Sequence, residues 1–255
     1  MKHLLGIILV GVLSLGTLPA AHAQSEVTLL VPAPTRVALD KIIAQFEMKT
    51  GNKVAVTNGT TLGTKQQVAK GDPFDVPVMQ PPYDEALASG NVVANSGRTI
   101  ASFVEAVCVK KGSPKPDIST ADAIKRLLLG AKSIDYPDPA AGSAGVRVVQ
   151  AFEKLGITEQ MKTKAKIVAN SGPAQMDVAN GDVDLCLAYL SDLRNPGIEA
   201  VGPLPIDIFA PNDMVGFVSS HAKDPKASMA LLDFLSSPDV ADMYTSAGMK
   251  PGRTR

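Results

Sequence analysis

Short apolar runs alternate with helical periods along this chain, and a glycine closes most of the helices. Val27 to Val31 is an apolar strand broken by Pro32-Ala33-Pro34. Leu39, Ile42, Ile43 and Phe46 then fall on one helix face, and Gly51 stops that helix with Lys49 in its last turn. Lys53 to Thr57 reads as a strand, and the helix after Thr60-Thr61 runs to Lys70 and Gly71. Val76 to Met79 is a third strand, where Pro77 predicts an edge or a bulge because it lacks a ladder donor. Tyr83 to Ser89 is a short helix ended by Gly90.

The alternation continues with a strand at Ala106 to Val109 and a helix capped by Ser119-x-x-Asp122. Ser133 to Tyr136 is a strand, and the small-residue loop Ala140 to Gly145 leads into a helix with Val148, Phe152 and Leu155 on one face. A strand at Lys166 to Val168, a helix at Pro173 to Asn180 and alternating Val183, Leu185, Leu187 and Tyr189 follow. Ala227 to Leu235 and Asp239 to Tyr244 read as late helices. Such alternation specifies an α/β fold, with largely parallel strands and helices on both faces.

The N-terminus predicts export. Lys2 and His3 precede an uncharged apolar run from Leu4 to Leu18, and Ala21-His22-Ala23 is a cleavage site with small residues at both recognised positions. Residues 1–23 are expected to be a signal peptide. The run is short for a membrane span, which needs about 20 apolar residues. No cysteine follows Ala23, so no lipid anchor is expected. The expected product is a soluble monomer in the periplasm, without stable membrane anchoring.

Composition narrows the partners. Basic and acidic residues number 25 each, and loss of Lys2 with the leader tips the mature chain slightly acidic. That balance argues against nucleic acid as a partner. The absence of Trp weakly disfavours a sugar cleft. His221 alone survives cleavage, and Cys108 and Cys186 are too few for a metal-site pattern, so neither metal nor cofactor is expected. The two cysteines are open to two readings, a disulfide or two buried thiols.

Ligands of open α/β sheets sit beyond the carboxyl ends of the strands, where helix N-termini offer free N–H groups. Three such junctions carry small hydroxyls: Thr35, Thr60 with Thr61, and Ser143 followed by Ala144 and Gly145. Cations lie close by at Arg36, Lys65 and Arg147. Arg147 sits in a first helical turn, opposing the helix dipole, which gives it reason to seek an anion. Tyr189 ends an apolar strand where its hydroxyl could reach a cleft. Helix capping, an exposed arginine and a core-edge tyrosine are the simpler readings of the same residues.

Taken in order, Leu39 to Gly51, Gly59 to Asp75, Asp138 to Gly156 and Val178 to Leu193 resemble the periplasmic molybdate-binding proteins and the wider type II solute-binding superfamily. The resemblance covers essentially the whole mature chain. It implies two α/β lobes around a ligand cleft, with residues 24–102 and 204–255 in lobe 1 and 103–203 in lobe 2. It also implies hinge closure over a small anion and delivery to an ABC transporter permease. The family's first-loop serine falls on Pro34, leaving Thr35 as the nearest donor; Thr60-Thr61, Ser143-Ala144-Gly145 and Tyr189 are kept. With Arg36, Lys65 and Arg147 nearby, a di- or tricarboxylate suits the site better than molybdate.

The runs Ser119 to Asp138 and Val201 to Pro205 also resemble the aconitate isomerase branch of this superfamily. That resemblance implies an alternative activity, cofactor-free interconversion of trans- and cis-aconitate by an allylic proton shift. A carboxylate, Tyr189 or Lys65 would then be the base.

Overall fold

The computed structural model describes residues 25–252. The expected signal peptide lies outside them. The chain runs through β1 (Glu26–Pro32), α1 (Arg36–Thr50), β2 (Lys53–Gly59), α2 (Thr61–Lys70), β3 (Val76–Met79), α3 (Asp84–Ala88) and β4 (Arg98–Phe103). After Val104 come β5 (Glu105–Lys110), α4 (Ala121–Gly130), β6 (Ile134–Pro137), α5 (Ser143–Leu155), α6 (Thr158–Met161), β7 (Ala165–Val168), α7 (Ser171–Asn180), β8 (Leu185–Tyr189) and β9 (Ile198–Val201). The chain ends with β10 (Asn212–Gly216), α8 (Pro225–Leu235), α9 (Ala241–Ser246) and β11 (Met249–Pro251).

These strands form two sheets, ordered β11-β4-β10-β3-β1-β2 and β7-β6-β8-β5-β9. Each sheet contains the same unit. In the first, β1 lies between β2 and β3, parallel to both. In the second, β6 lies between β7 and β8, again parallel to both. Strand order reverses beside the central strand of each unit, which opens a crevice at the carboxyl ends of β1 and β3, and of β6 and β8. Antiparallel strands extend both sheets, so each is mixed rather than largely parallel.

The glycine stops hold for physical reasons. Gly51 and Gly71 adopt left-handed φ values of 76° and 81°, which a side chain would resist. Two local readings change. Thr120, not Ser119, caps α4, accepting from the Ala123 N–H at 3.1 Å. Pro77 lies in an internal strand, because β3 is flanked by both β1 and β10. It is tolerated there because the β10 ladder pairs only Val78 and Met79, and Phe217 N still donates to the Pro77 carbonyl at 3.0 Å.

Separate apolar clusters fill the lobes. Leu29, Leu39, Ile42 and Phe46 pack with Leu231 and Leu232 in the first. Val107, Ile124, Val148 and Phe152 pack with Leu185 and Leu187 in the second. Leu204 and Phe209, downstream of β9, also pack in the second cluster. Cys108 and Cys186 stand opposite each other in the β5–β8 ladder and are joined by a disulfide. Among the described residues, no helix is long and apolar enough to cross a membrane.

Candidate functional site

The two crevices meet. A cavity of about 510 Å³ is lined by Leu62 and Lys65 of α2, Pro81 and Pro82 after β3, residues 139–143 at the start of α5, Val146, Arg147, Gln150 and Asn212. Both lobes therefore contribute walls.

A chain of polar contacts crosses this cleft. Arg147 Nη2 donates to Asn212 Oδ1 at 3.3 Å, and Asn212 Nδ2 donates to the Tyr189 hydroxyl at 2.8 Å. The Tyr189 hydroxyl donates to Ser143 Oγ at 3.0 Å, which donates to Gln80 Oε1 at 3.1 Å. Gln80 and Asn212 come from the first sheet's lobe; Arg147, Ser143 and Tyr189 come from the second. Burial pushes the Tyr189 pKa upward, and the Glu105 charge adds to that, so the hydroxyl stays a neutral donor.

The start of α5 is built for close approach. Gly142 occupies its N-cap and no side chain caps it, as at α1, α3, α6 and α9 and unlike α2, α4, α7 and α8. Its first-turn N–H groups are therefore left without a capping side chain. Gly145 is required by packing, because a Cβ there would lie 2.1 Å from the Pro137 carbonyl oxygen. Ala144, its neighbour, packs into the first lobe's core cluster.

Two cations face the cleft without carboxylate partners among the described residues. Lys65 Nζ donates to the Pro82 carbonyl at 2.9 Å. Arg147 holds only the side-chain carbonyls of Asn212 and Gln150.

The structure thus brings Lys65, Ser143, Arg147 and Tyr189 together, with Ala144 and Gly145 shaping the helix start. It does not bring Arg36 to the cleft. Arg36 pairs with Asp40 at 2.6 Å and lines a separate groove with Ile43 and Glu47. Thr35 is buried and donates its hydroxyl to the Pro32 carbonyl. Thr60 accepts from Gly63 N at 2.9 Å, which is capping, and Thr61 is the first residue of α2. Gln80 and Asn212 escaped sequence reasoning. Gln80 directly follows β3, and a polar residue at the carboxyl end of an apolar strand was the one signal for it. Asn212 carried none.

Two mixed sheets with facing crevices and a polar cleft between them define the class, a two-lobe solute-binding protein. The sequence profile of the bacterial extracellular solute-binding proteins matches residues 27–250, and the chain belongs to that family. It is 31% identical to an aconitate isomerase of a Pseudomonas species, over 94% of both chains. It is 28% identical to the molybdate-binding protein ModA of Azotobacter vinelandii, over 94% of this chain and 96% of that one. A solved periplasmic molybdate-binding protein of Azotobacter vinelandii superposes with a TM-score of 0.66 at 18% identity, covering 88% of this chain and 98% of that one. That likeness carries the fold.

Proposed function

We propose that this protein is a periplasmic receptor for a small organic anion carrying more than one carboxylate, which it delivers to an ABC transporter permease. The observation that carries this reading is the pair Lys65 and Arg147. They approach one cleft from different lobes, and among the described residues each is held by neutral oxygens. Arg forks suit carboxylates, and Lys supplies a second point charge. Leu62 and Val146 are exposed apolar residues on the same walls and suit a carbon stem better than a bare oxyanion. Thr35 and Thr60 are engaged in local hydrogen bonds at their strand-to-helix turns and carry no part of this reading. The Cys108–Cys186 disulfide supports an oxidising compartment.

The lobes pivot at Val104 and at the return segment before Asn212. The packing of Leu204 and Phe209 in the second lobe's cluster supports a returning pivot after Phe209 rather than the boundary at residue 204 expected from the sequence. Calorimetry of the mature protein with citrate, trans-aconitate, molybdate and tungstate tests the reading. Tight binding of molybdate with none of the carboxylates would sink it.

The likeness to an aconitate isomerase over 94% of both chains favours a second reading, allylic proton transfer in the same cleft. Incubation with trans-aconitate decides it. Unchanged substrate at high protein concentration removes the enzyme.

A further inference from the structure

Glu105 is an acid that the anion contacts leave unused. It opens β5, one residue beyond Val104, where the chain leaves the first sheet. Its carbonyl accepts from Leu204 N at 2.8 Å, which ties it to the segment that follows β9. Its side chain is sealed: the residue is 2% exposed, and neither carboxyl oxygen has a hydrogen-bond partner among the described residues. The ladder sets it directly opposite Tyr189, so the two side chains share a face of the sheet. The charged and titratable groups around it are Arg147 from α5, Tyr189 from β8 and Asp192 just beyond β8. Among the described residues it forms no ion pair with Arg147.

A buried carboxyl without a partner lowers stability, and an apolar side chain of similar volume would serve the core better. Its placement therefore points to a role in the cleft. Ionised, Glu105 would cancel part of the Arg147 charge from inside the protein. Neutral, it leaves that charge to whatever enters.

We propose that Glu105, sealed at the lobe junction opposite Tyr189, whose hydroxyl is linked through Asn212 to Arg147, sets how much of the Arg147 charge the cleft offers, and so links anion binding to a proton. This rests on the anion-cleft reading and adds regulation to it. Burial holds the Glu105 carboxyl well above the usual range; Asp192 pushes the same way and Arg147 opposes. An anion beside Arg147 favours the neutral acid further. Binding therefore takes up a proton wherever Glu105 is partly ionised, and affinity declines as pH rises through its titration.

The test uses the full mature protein and trans-aconitate as probe, from about pH 6 to about pH 9, in buffers of differing ionisation heat. Wild type is expected to take up a fraction of a proton and to lose affinity toward high pH, by at most about tenfold per pH unit. Glu105→Gln, neutral and of similar size, should take up less than wild type and hold a flatter profile, with Asp192 accounting for what remains near pH 6. Glu105→Asp keeps a titrating group and should keep the linkage with a shifted midpoint, so it decides the matter if Glu105→Gln does not fold. Identical proton uptake and pH profiles in wild type and Glu105→Gln overturn the proposal while leaving the anion cleft intact. Absence of binding by wild type at every pH, with citrate and molybdate also silent, removes the anion cleft and this proposal with it.

Discussion

The rings of Phe103 and Tyr189 stack at 4.8 Å between centroids with a 17° interplanar angle, joining the last residue of β4 to the last residue of β8 across the lobe boundary. Tyr189 thereby sits in the first lobe's apolar cluster while its hydroxyl serves the polar chain through the cleft. One side chain couples the lobe contact to the polar chain. Tyr189→Phe keeps the stack and deletes the hydroxyl, leaving Asn212 Nδ2 without its acceptor. Stability should fall by about 1–3 kcal/mol, the range for a stranded buried donor. Calorimetry should show weaker anion binding, and an unchanged affinity would place the ligand elsewhere.

Arg147→Met separates binding from stability. Losing a charge contact to the ligand should weaken carboxylate binding by about 2–3 kcal/mol, measured by titration calorimetry. Arg147 is the fifth residue of α5, one step past the first turn where the sequence suggested it, so its removal should leave stability without ligand within about 0.5 kcal/mol of wild type. A thermal melt without ligand checks this. Loss of both affinity and stability would show Arg147 to be structural.

Gly145→Ala probes the tight start of α5. Its Cβ would lie 2.1 Å from the Pro137 oxygen and 2.6 Å from Pro139 N, both backbone atoms that cannot swing aside. The clash should lower stability by about 1–3 kcal/mol or more and displace the helix start that carries Ser143 and Arg147. Denaturant unfolding and ligand titration should both register it, and a wild-type midpoint would contradict the packing.

The disulfide spans 78 residues of sequence. Closing a loop of that length stabilises by roughly 4 kcal/mol in the chain-entropy account. Cys108→Ala with Cys186→Ala should therefore lower the denaturant midpoint strongly, and added reductant should do the same to wild type but not to the double variant.

Asp192 gives stability a pH dependence. Burial pushes its pKa up to about 6, against the opposing pull of Arg194 and a hydrogen bond from Ser171. The folded state thus holds a proton that the unfolded chain gives up near pH 4. Its contribution is complete below about pH 4, is lost as pH rises to about 6, and is flat above that. Asp192→Asn should remove this slope, with the variant gaining on wild type by up to about 2 kcal/mol at neutral pH. Parallel stability profiles for the two proteins would refute the assignment.

What could be read from residues alone followed local physics. The helix faces of α1 and α5 were visible in their periodicity, and Gly51, Gly71, Gly156 and Gly181 marked helix ends because only a residue without Cβ takes the left-handed cap freely. The strand-to-helix junctions of α2 and α5, with Lys65, Ser143 and Arg147, were legible for the same reason. β4, β9, β10 and β11 were not. They are short antiparallel strands without clear alternation, and their pairing partners lie far away in sequence.

The sequence by itself determined the α/β elements, the helix ends, and the clustering of hydroxyls and cations at strand ends, since each depends on neighbours within a turn or two. Only the tertiary structure decided that Gln80 and Asn212 complete the polar chain, that Cys108 meets Cys186, and that Glu105 is sealed opposite Tyr189. Those outcomes turn on sheet register and on the apposition of two lobes. Both are set by the burial of many distant side chains together, and local sequence does not encode them.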